Sequence, residues 1–453
     1  MAEPSAMREI DLARVIDTTP ISAFQWRVFF LCAAIAFMDG VDTQVIGAAA
    51  PALGVKLGFA RSAFGVLFAS GLVGAMLGAL SCGLLADRWG RKRVLVVATA
   101  FFGVFTFVTP WVGDLNTLLL VRFLAGVGLG GAVPCFVAMV TEYAPASRRT
   151  VIVSALWAAF PLGAMCGGFI NALLLERYGW QALFLLWGGL PLALALGLAA
   201  ALPESARFLI SKRRFTGELV EIARRIAPGC PADVQFTQTA QGAPAAPLRS
   251  LLSGGYFAST LLLWSICFLA FGAVIVVGVW TPALLTQIGL SMSLSAVVVG
   301  FNGFGSFIGT GIAGRLMQRW GIGITVGPSF ALATLSFLLY GEMASSLATA
   351  CLFSFLAGLF LGVCTSSGVT IAATIYPTEM RSTGIGWALG MGRFGQVVAP
   401  LLIGLMVAGQ KSTAFILSAV GVVLLLGIPS VLALARLPAT ASTSPLRTMD
   451  AAH

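Results

Sequence analysis

The chain has 453 residues, of which 58% are hydrophobic and only 10% charged, and its formal net charge is +10. Soluble globular chains carry roughly 25% charged residues, so this composition places the chain in lipid and leaves little room for a soluble enzyme or nucleic-acid-binding domain. Its apolar runs are long and unalternated, which excludes an outer-membrane barrel built from alternating segments of about ten residues.

Taken in chain order, residues 1–25 hold Glu3, Arg8, Glu9, Asp11, Arg14 and Asp17 with no apolar core; they do not resemble a cleavable leader and read as a tail. Apolar windows follow at 26–49, 61–84, 94–111, 115–139, 151–174 and 181–202, and again at 256–280, 292–316, 323–341, 345–370, 382–408 and 412–435. Each is near the ~20 residues that one span requires. Between the two sets, 203–255 is richer in Pro, Gln, Thr and charge and reads as a linker with room for short surface helices. Residues 436–453 form a second tail. The sequence thus predicts an all-α membrane protein of twelve transmembrane helices in two six-helix halves, 26–202 and 256–435.

The charges explain themselves by topology. Arg14, Arg27, Arg88, Arg91, Lys92, Arg93, Arg148, Arg149, Arg207, Lys212, Arg213, Arg214, Arg315, Arg319, Arg381, Arg436 and Arg447 fall on one face, whereas the other holds only Lys56, Arg61, Arg177 and Lys411. The positive-inside rule then predicts cytoplasmic termini and no nucleic-acid partner. Seven cysteines lie at irregular spacing in apolar runs and Cys230 lies in the linker, so neither a disulfide nor a metal site is expected.

The two halves repeat one another. Gly83-Leu84-Leu85-Ala86-Asp87-Arg88-Trp89-Gly90 has a counterpart in Gly314-Arg315-Leu316-Met317-Gln318-Arg319-Trp320-Gly321, and Phe123-Leu124-Ala125-Gly126 recurs as Phe355-Leu356-Ala357-Gly358. Pro145 and Arg149 likewise match Pro377 and Arg381. Duplicated halves suit alternating access, in which two bundles rock about a site held between them.

The segment Gly83 to Arg93, with Asp87, Arg88, Gly90, Arg91 and Lys92, resembles the loop signature of the major facilitator superfamily between its second and third spans. Glycines there permit a tight turn, and Asp87 is placed to pair across the seam or with a helix N-terminus. In the second copy Gln318 replaces the aspartate and Ile322-Gly323-Ile324 replaces the basic run, so a weaker lock is expected. Within the superfamily, Asp39-Gly40-Val41-Asp42-Thr43 resembles the first-span signature of the aromatic acid:proton symporters. Asp17, Gln25-Trp26-Arg27 and Trp280-Thr281-Pro282 fit that family's pattern as well. The resemblance implies a monomeric carrier in the bacterial cytoplasmic membrane that takes up a small aromatic carboxylate with protons, needs no cofactor and draws on the proton gradient.

The residues themselves support a charge-coupled site. Among the acidic residues only Asp39 and Asp42 lie deep in a span, where an ionisable group is functional by default. Three residues apart on one helix face, they should not both carry charge easily, so proton uptake near neutrality is expected of the pair. Depth brings Arg122 of the fourth span to the same level, and Arg393 lies near the middle of the eleventh. A permanent salt bridge for Arg122 stands beside a substrate-binding role, whereas a bidentate hold on a carboxylate suits Arg393. Glu142 with Arg148 and Arg149, and Glu379 with Arg381, read as gate networks at the basic face; Glu142 and Arg381 match positions the family preserves there. Trp157, Phe160, Trp264, Phe268, Phe271, Phe304, Tyr376 and Trp387 are candidates for the walls of an aromatic site, although 32 phenylalanines make packing roles commoner.

Other readings compete. Pro203-Glu204-Ser205-Ala206-Arg207-Phe208 resembles a sugar-carrier motif, but two buried arginines suit an anion better than a sugar. Drug efflux finds no Gly-Pro order in Phe160-Pro161-Leu162-Gly163, and a membrane sensor would need a signalling domain. No Gly-x-Ser-x-Gly or metal-ligand cluster points to an enzyme.

Overall fold

A computed structural model describes residues 8–212, 216–228, 234–237, 247–343 and 346–437. Arg213, Arg214, Cys230, Arg447 and His453 lie outside the described residues. Six long helices make up the first half: α1 (Ala23–Leu57), α2 (Phe64–Trp89), α3 (Arg91–Phe107), α4 (Leu115–Tyr143), α5 (Arg149–Tyr178) and α6 (Trp180–Ala201). The second half begins with α7 (Phe257–Leu285), followed by a continuous helical stretch Met292–Met343 that breaks at Gly321 (φ 79°, ψ 171°). The segments 292–320 and 322–343 on either side are α8 and α9; α10 (Leu347–Ile375), α11 (Thr378–Ala408) and α12 (Thr413–Arg436) complete the set. Among the described residues eleven apolar helices, one of them broken at Gly321 into two, thus supply twelve spans.

The helices outrun the apolar windows because the hydrogen-bonded backbone continues beyond the hydrocarbon. At 35 residues and roughly 1.5 Å per residue, α1 is about 52 Å long against a ~30 Å core. A capping box starts it: the Ser22 hydroxyl accepts from the Gln25 amide at 3.3 Å, and Gln25 Oε1 accepts from the Ser22 amide at 2.8 Å, filling donors that a helix end otherwise leaves open.

The sequence repeat appears as equivalent packing. A methyl group added at Gly74 of α2 would lie 2.1 Å from the Phe123 carbonyl oxygen of α4, and one at Gly305 of α8 would lie 2.1 Å from that of Phe355 in α10. Reciprocally, Gly126 meets the Gly71 carbonyl and Gly358 that of Asn302. Glycines in these rows let backbones touch, which substitutes for a hydrophobic drive between helices surrounded by lipid. Gly90 (φ 97°) and Gly321 (φ 79°) also share a positive-φ break, a conformation that a side chain would strain.

The start of α1, the described parts of the first tail and linker, and the end of α12 at Arg436 share one face, here called the tail face. The linker carries helices Ala206–Lys212 and Thr216–Ile226, with Arg225 placed over the Phe24 ring at the start of α1. One feature had no signal in the sequence: β1 (Arg8–Asp11) pairs in parallel with β2 (Val234–Thr237), so a two-stranded ribbon ties the first tail to the linker in an otherwise helical protein.

The halves meet most closely away from the tail face. Gly47 of α1 abuts Gly278 and Val279 of α7, Gly65 of α2 abuts Pro400 and Gly404 of α11, and Gly168 of α5 abuts Gly300 of α8. Trp280 is fully buried between them, with ring centroids 6.1 Å from Phe64 and 5.4 Å from Phe68. Toward the tail face, by contrast, Asp87, Arg88, Glu379 and Arg381 are exposed. A Cβ at Gly168 would lie 2.4 Å from the Gly300 backbone, whereas one at Gly197 in α6 meets nothing within 4 Å. Gly168→Val is therefore expected to lower thermal stability in detergent by about 1–3 kcal/mol through overpacking. Gly197→Val should leave it within about 0.5 kcal/mol. Equal melting shifts in the two variants would show that the halves do not meet there.

Candidate functional site

Four buried or half-buried charges converge at mid-membrane. On α1, Asp39 and Asp42 occupy successive turns of the helix that packs against α5, where Gly40 lets the backbone approach the Phe160 carbonyl. Asp42 accepts from both guanidinium nitrogens of Arg122 on α4, at 3.2 Å and 2.6 Å. Both side chains are 7% exposed or less, and a bidentate, charge-assisted pair of this kind is the strong form of the interaction. It lies wholly within the first half.

Asp39, one turn earlier on α1, has a different partner. Its carboxylate lies 3.9 Å from Arg393 on α11, across the boundary between the halves. Arg393 is 29% exposed where Asp39 is 7% exposed, and its Nη1 donates to Gln396 Oε1 one turn further along at 3.3 Å. This second pair is longer and more open than the first, and it is made by helices that belong to different halves.

A small cavity with about 30 Å³ of free volume, well below the ~300–1,000 Å³ typical of ligand sites, is lined by Gln396, the residue to which Arg393 donates. Phe160, Pro161, Val274 and Ile275 supply apolar wall, and Thr43, Gln44, Asn302, Ser306 and Gln396 supply polar groups. Its elements come from both halves, so any relative movement of the halves reshapes it. Among the described residues no cluster of His, Cys, Asp and Glu could hold a metal ion.

A separate network occupies the tail face. Arg91 pairs with Glu142, and Ser205 joins them by donating to Glu142 Oε2 at 2.6 Å and accepting from Arg91 at 3.3 Å. Glu204 Oε1 accepts from the backbone amides of Lys92 (2.9 Å) and Ser205 (2.8 Å). A carboxylate thus sits at the start of α3, where open amides and the helix dipole favour negative charge. Tyr143 donates to the Glu204 carbonyl at 2.7 Å, and Gln25 donates to that of Tyr143 at 2.8 Å. Asp17 accepts from the Ala146 amide at 2.7 Å.

Measured against the sequence reading, all four mid-membrane charges come together, but as two separate pairs; Arg122 is spent on Asp42. At the tail face Glu142 takes Arg91 as its partner, while Arg149, at the start of α5, donates to the Ala144 carbonyl at the end of α4 at 3.4 Å. Asp87, Arg88, Glu379 and Arg381 stand exposed at helix ends. Of the aromatic candidates only Phe160 lines the cavity. Trp264 stacks on Trp387 at 5.7 Å, Phe268 packs on Phe394, Phe304 on Phe355, Trp157 on Phe136, and Tyr376 on Tyr256 with its hydroxyl 2.9 Å from that of Thr260; Phe271 lies against Gly392. The residues that sequence reasoning passed over are Glu204 and Ser205, whose motif had suggested sugar carriers, and Gln44. Its signal was present: an amide two residues beyond Asp42 in an apolar helix.

A twelve-span bundle with charges paired at mid-depth and a cavity between two like halves is a polytopic membrane carrier. The Major Facilitator Superfamily profile matches residues 32–343 and 303–450. The 4-hydroxybenzoate transporter PcaK of Pseudomonas aeruginosa is 36% identical over 88% of this chain and 90% of its own, and the gallate transporter of Pseudomonas putida is 34% identical over 89% and 90%. The inward-open xylose transporter XylE of E. coli superimposes with a TM-score of 0.71 over 91% of this chain and 96% of that one, at 18% identity, a likeness of fold alone. The chain belongs to the major facilitator superfamily and, within it, to the aromatic acid:proton symporter family.

Removing one partner of a buried ion pair leaves the other uncompensated, at a cost of about 3–5 kcal/mol. Asp42→Asn is therefore expected to lower the melting temperature more than the double replacement Asp42→Asn with Arg122→Gln, which removes both charges. Thermal unfolding of the purified variants measures this; additive losses would show that the pair is not coupled.

Proposed function

We propose that this transporter takes up a monocyclic aromatic carboxylate together with protons by alternating access, with Asp39 and Arg393 as the coupling pair. The Asp39–Arg393 contact carries the reading, because it alone among the observed mid-membrane pairs joins the two halves. Its 3.9 Å separation and the exposure of Arg393 leave the guanidinium free to accept a second anion.

The chemistry follows from charge balance in a low dielectric. A cargo carboxylate arriving at Arg393 competes with Asp39 for one cation. Two anions beside one guanidinium are unfavourable, so binding of the cargo favours a proton on Asp39, and a proton on Asp39 releases Arg393 for the cargo. Loss of the proton restores the Asp39–Arg393 pair and displaces the cargo. Asp42 is held by Arg122 throughout and anchors α1 to α4, so in this reading it sets the position and charge of the site while Asp39 carries the proton.

The basic excess on the tail face supports a cytoplasmic assignment for that face and for the termini. The contacts at Gly47, Gly65, Gly168 and Trp280 then close the outer side. In the alternate state the tail-face charges, Asp87, Arg88, Arg91, Glu142, Arg149, Glu379 and Arg381, would form the closed gate. The relatives named as transporters of 4-hydroxybenzoate and gallate support an aromatic acid as the cargo.

Uptake of radiolabelled aromatic acids into proteoliposomes holding only this protein, with and without a protonophore, tests the reading. Wild type should accumulate at least one acid in a protonophore-sensitive manner. Asp39→Asn should still bind and exchange that acid but lose gradient-driven accumulation, and Arg393→Ala should lose binding by about 2–5 kcal/mol. Undiminished protonophore-sensitive accumulation in Asp39→Asn would refute the coupling role, and no uptake by wild type would favour a sensor.

A further inference from the structure

The small cavity lies where the halves meet, and its polar lining is not fully satisfied. Gln44 of α1 is 5% exposed and lines it, yet its Oε1 is buried without a hydrogen-bond partner, a costly state for an acceptor. From the second half, Asn302 and Ser306 of α8 and Gln396 of α11 line the same space. Gln396 accepts from Arg393 through Oε1 at 3.3 Å, and Asn302 donates through Nδ2 to the Ser354 carbonyl at 3.0 Å. The groups left for them to offer are an amide nitrogen and a carbonyl oxygen. With about 30 Å³ of free volume, the cavity exceeds the roughly 10–15 Å³ that a water requires and supplies the two to four polar partners that hold one.

We propose that this cavity binds one ordered water that bridges Gln44 of the first half to Gln396 of the second, and that Gln396 is a positioning residue for Arg393. The water donates to Gln44 Oε1 and accepts from Gln396 Nε2, and its second hydrogen has the Asn302 carbonyl or the Ser306 hydroxyl in the same lining. Gly278, which also lines the cavity, abuts Gly47 across the seam, so parting the halves there removes one wall and opens the bridge. The consequence for transport rests on the coupling mechanism above. Arg393 uses different nitrogens for its two contacts: Nη1 donates to Gln396, whereas Nη2 is the atom 3.9 Å from Asp39. Gln396 thus fixes the guanidinium by one nitrogen while the other exchanges between Asp39 and the cargo carboxylate, and the water makes that hold depend on closure of the seam.

The test compares wild type with Gln44→Leu and Gln396→Leu, alone and together, by thermal unfolding in one detergent and by proton-driven uptake of 4-hydroxybenzoate into proteoliposomes. Each single change strands the other amide, so each should lower the melting temperature, and the double variant should melt no lower than the worse single one. Each should also raise KM by roughly 3- to 10-fold with Vmax little changed, without the two effects multiplying in the double variant; a purely structural role would leave KM alone. Gly278→Ala reaches the bridge without touching either amide. The atoms nearest to a Cβ there are Thr43 Cγ2 at 3.4 Å and the Gln44 amide nitrogen and oxygen at 3.6 and 4.0 Å, ordinary contacts, so the methyl group takes the space of the water. It should raise KM as Gln44→Leu does and make that change silent when the two are combined. Additive melting losses, a higher melting temperature in Gln44→Leu, or an unchanged KM in Gly278→Ala would overturn the bridge. The melting comparison is independent of transport: non-additive losses with no proton-driven uptake of any aromatic acid by wild type would sink the coupling reading and keep the bridge, and additive losses with such uptake would do the reverse.

Discussion

Charge in hydrocarbon must be neutralised, and the arrangement of this transporter's interior follows from how it meets that requirement. Two carboxylates and two guanidiniums sit at mid-depth, and they are matched one to one. The matching is unequal. Asp42 and Arg122 form a short bidentate pair within one half, whereas Asp39 and Arg393 form a 3.9 Å contact between halves. Pairs of the first kind lock a bundle together, because separating them exposes two bare charges to low dielectric. A pair of the second kind is longer and more open, lies where the two halves meet, and in the proposed mechanism is the one that exchanges partners.

The glycines make this placement possible. With side chains at Gly40 and Gly163, α1 could not approach α5, whose Phe160 bounds the cavity; without Gly272 and Gly395, α7 and α11 could not pack so closely behind Arg393. On the tail face the same economy serves a different end. Gly90 takes a backbone conformation that brings Glu204 to within 2.3 Å of where its Cβ would stand, so the carboxylate caps α3 directly. The second half keeps the positive-φ break at Gly321 but replaces the basic run by Ile322-Gly323-Ile324. The turn survives in both copies, whereas the charged network has been built around one of them.

Much of this was legible in the sequence for identifiable reasons. Span count, the repeat and the depth of Asp39, Asp42, Arg122 and Arg393 depend on hydrophobic run length and helical rise, which are local and periodic. Which carboxylate takes which arginine depends on helix rotation and on the distance between halves, and neither leaves a trace in spacing along one chain. The partner of Glu142 was missed for the same reason: Arg148 and Arg149 are its neighbours in sequence, but Arg91 and Ser205 are its neighbours in space. Aromatic residues carried little information, as expected, because rings pack well against one another in any bundle, so a residue type alone does not distinguish Phe160 at the cavity from the Trp264–Trp387 stack.

The inequality of the two ion pairs also bears on why the interior has four charges where two would suffice to hold an anion and a proton. With Arg393 and Asp39 alone, α1 would have no polar tie inside its own half, and any exchange of partners at Asp39 could let the helix rotate and carry the site with it. Asp42, one turn away on the same helix, is fastened to α4 through Arg122, so the backbone under Asp39 keeps its position when Asp39 changes partner. The strong pair in this reading serves as a fixed reference against which the weak pair moves. Under the proposed mechanism, an exchange of charge at Asp39 would change the attraction between the halves rather than cause a local rearrangement within one of them.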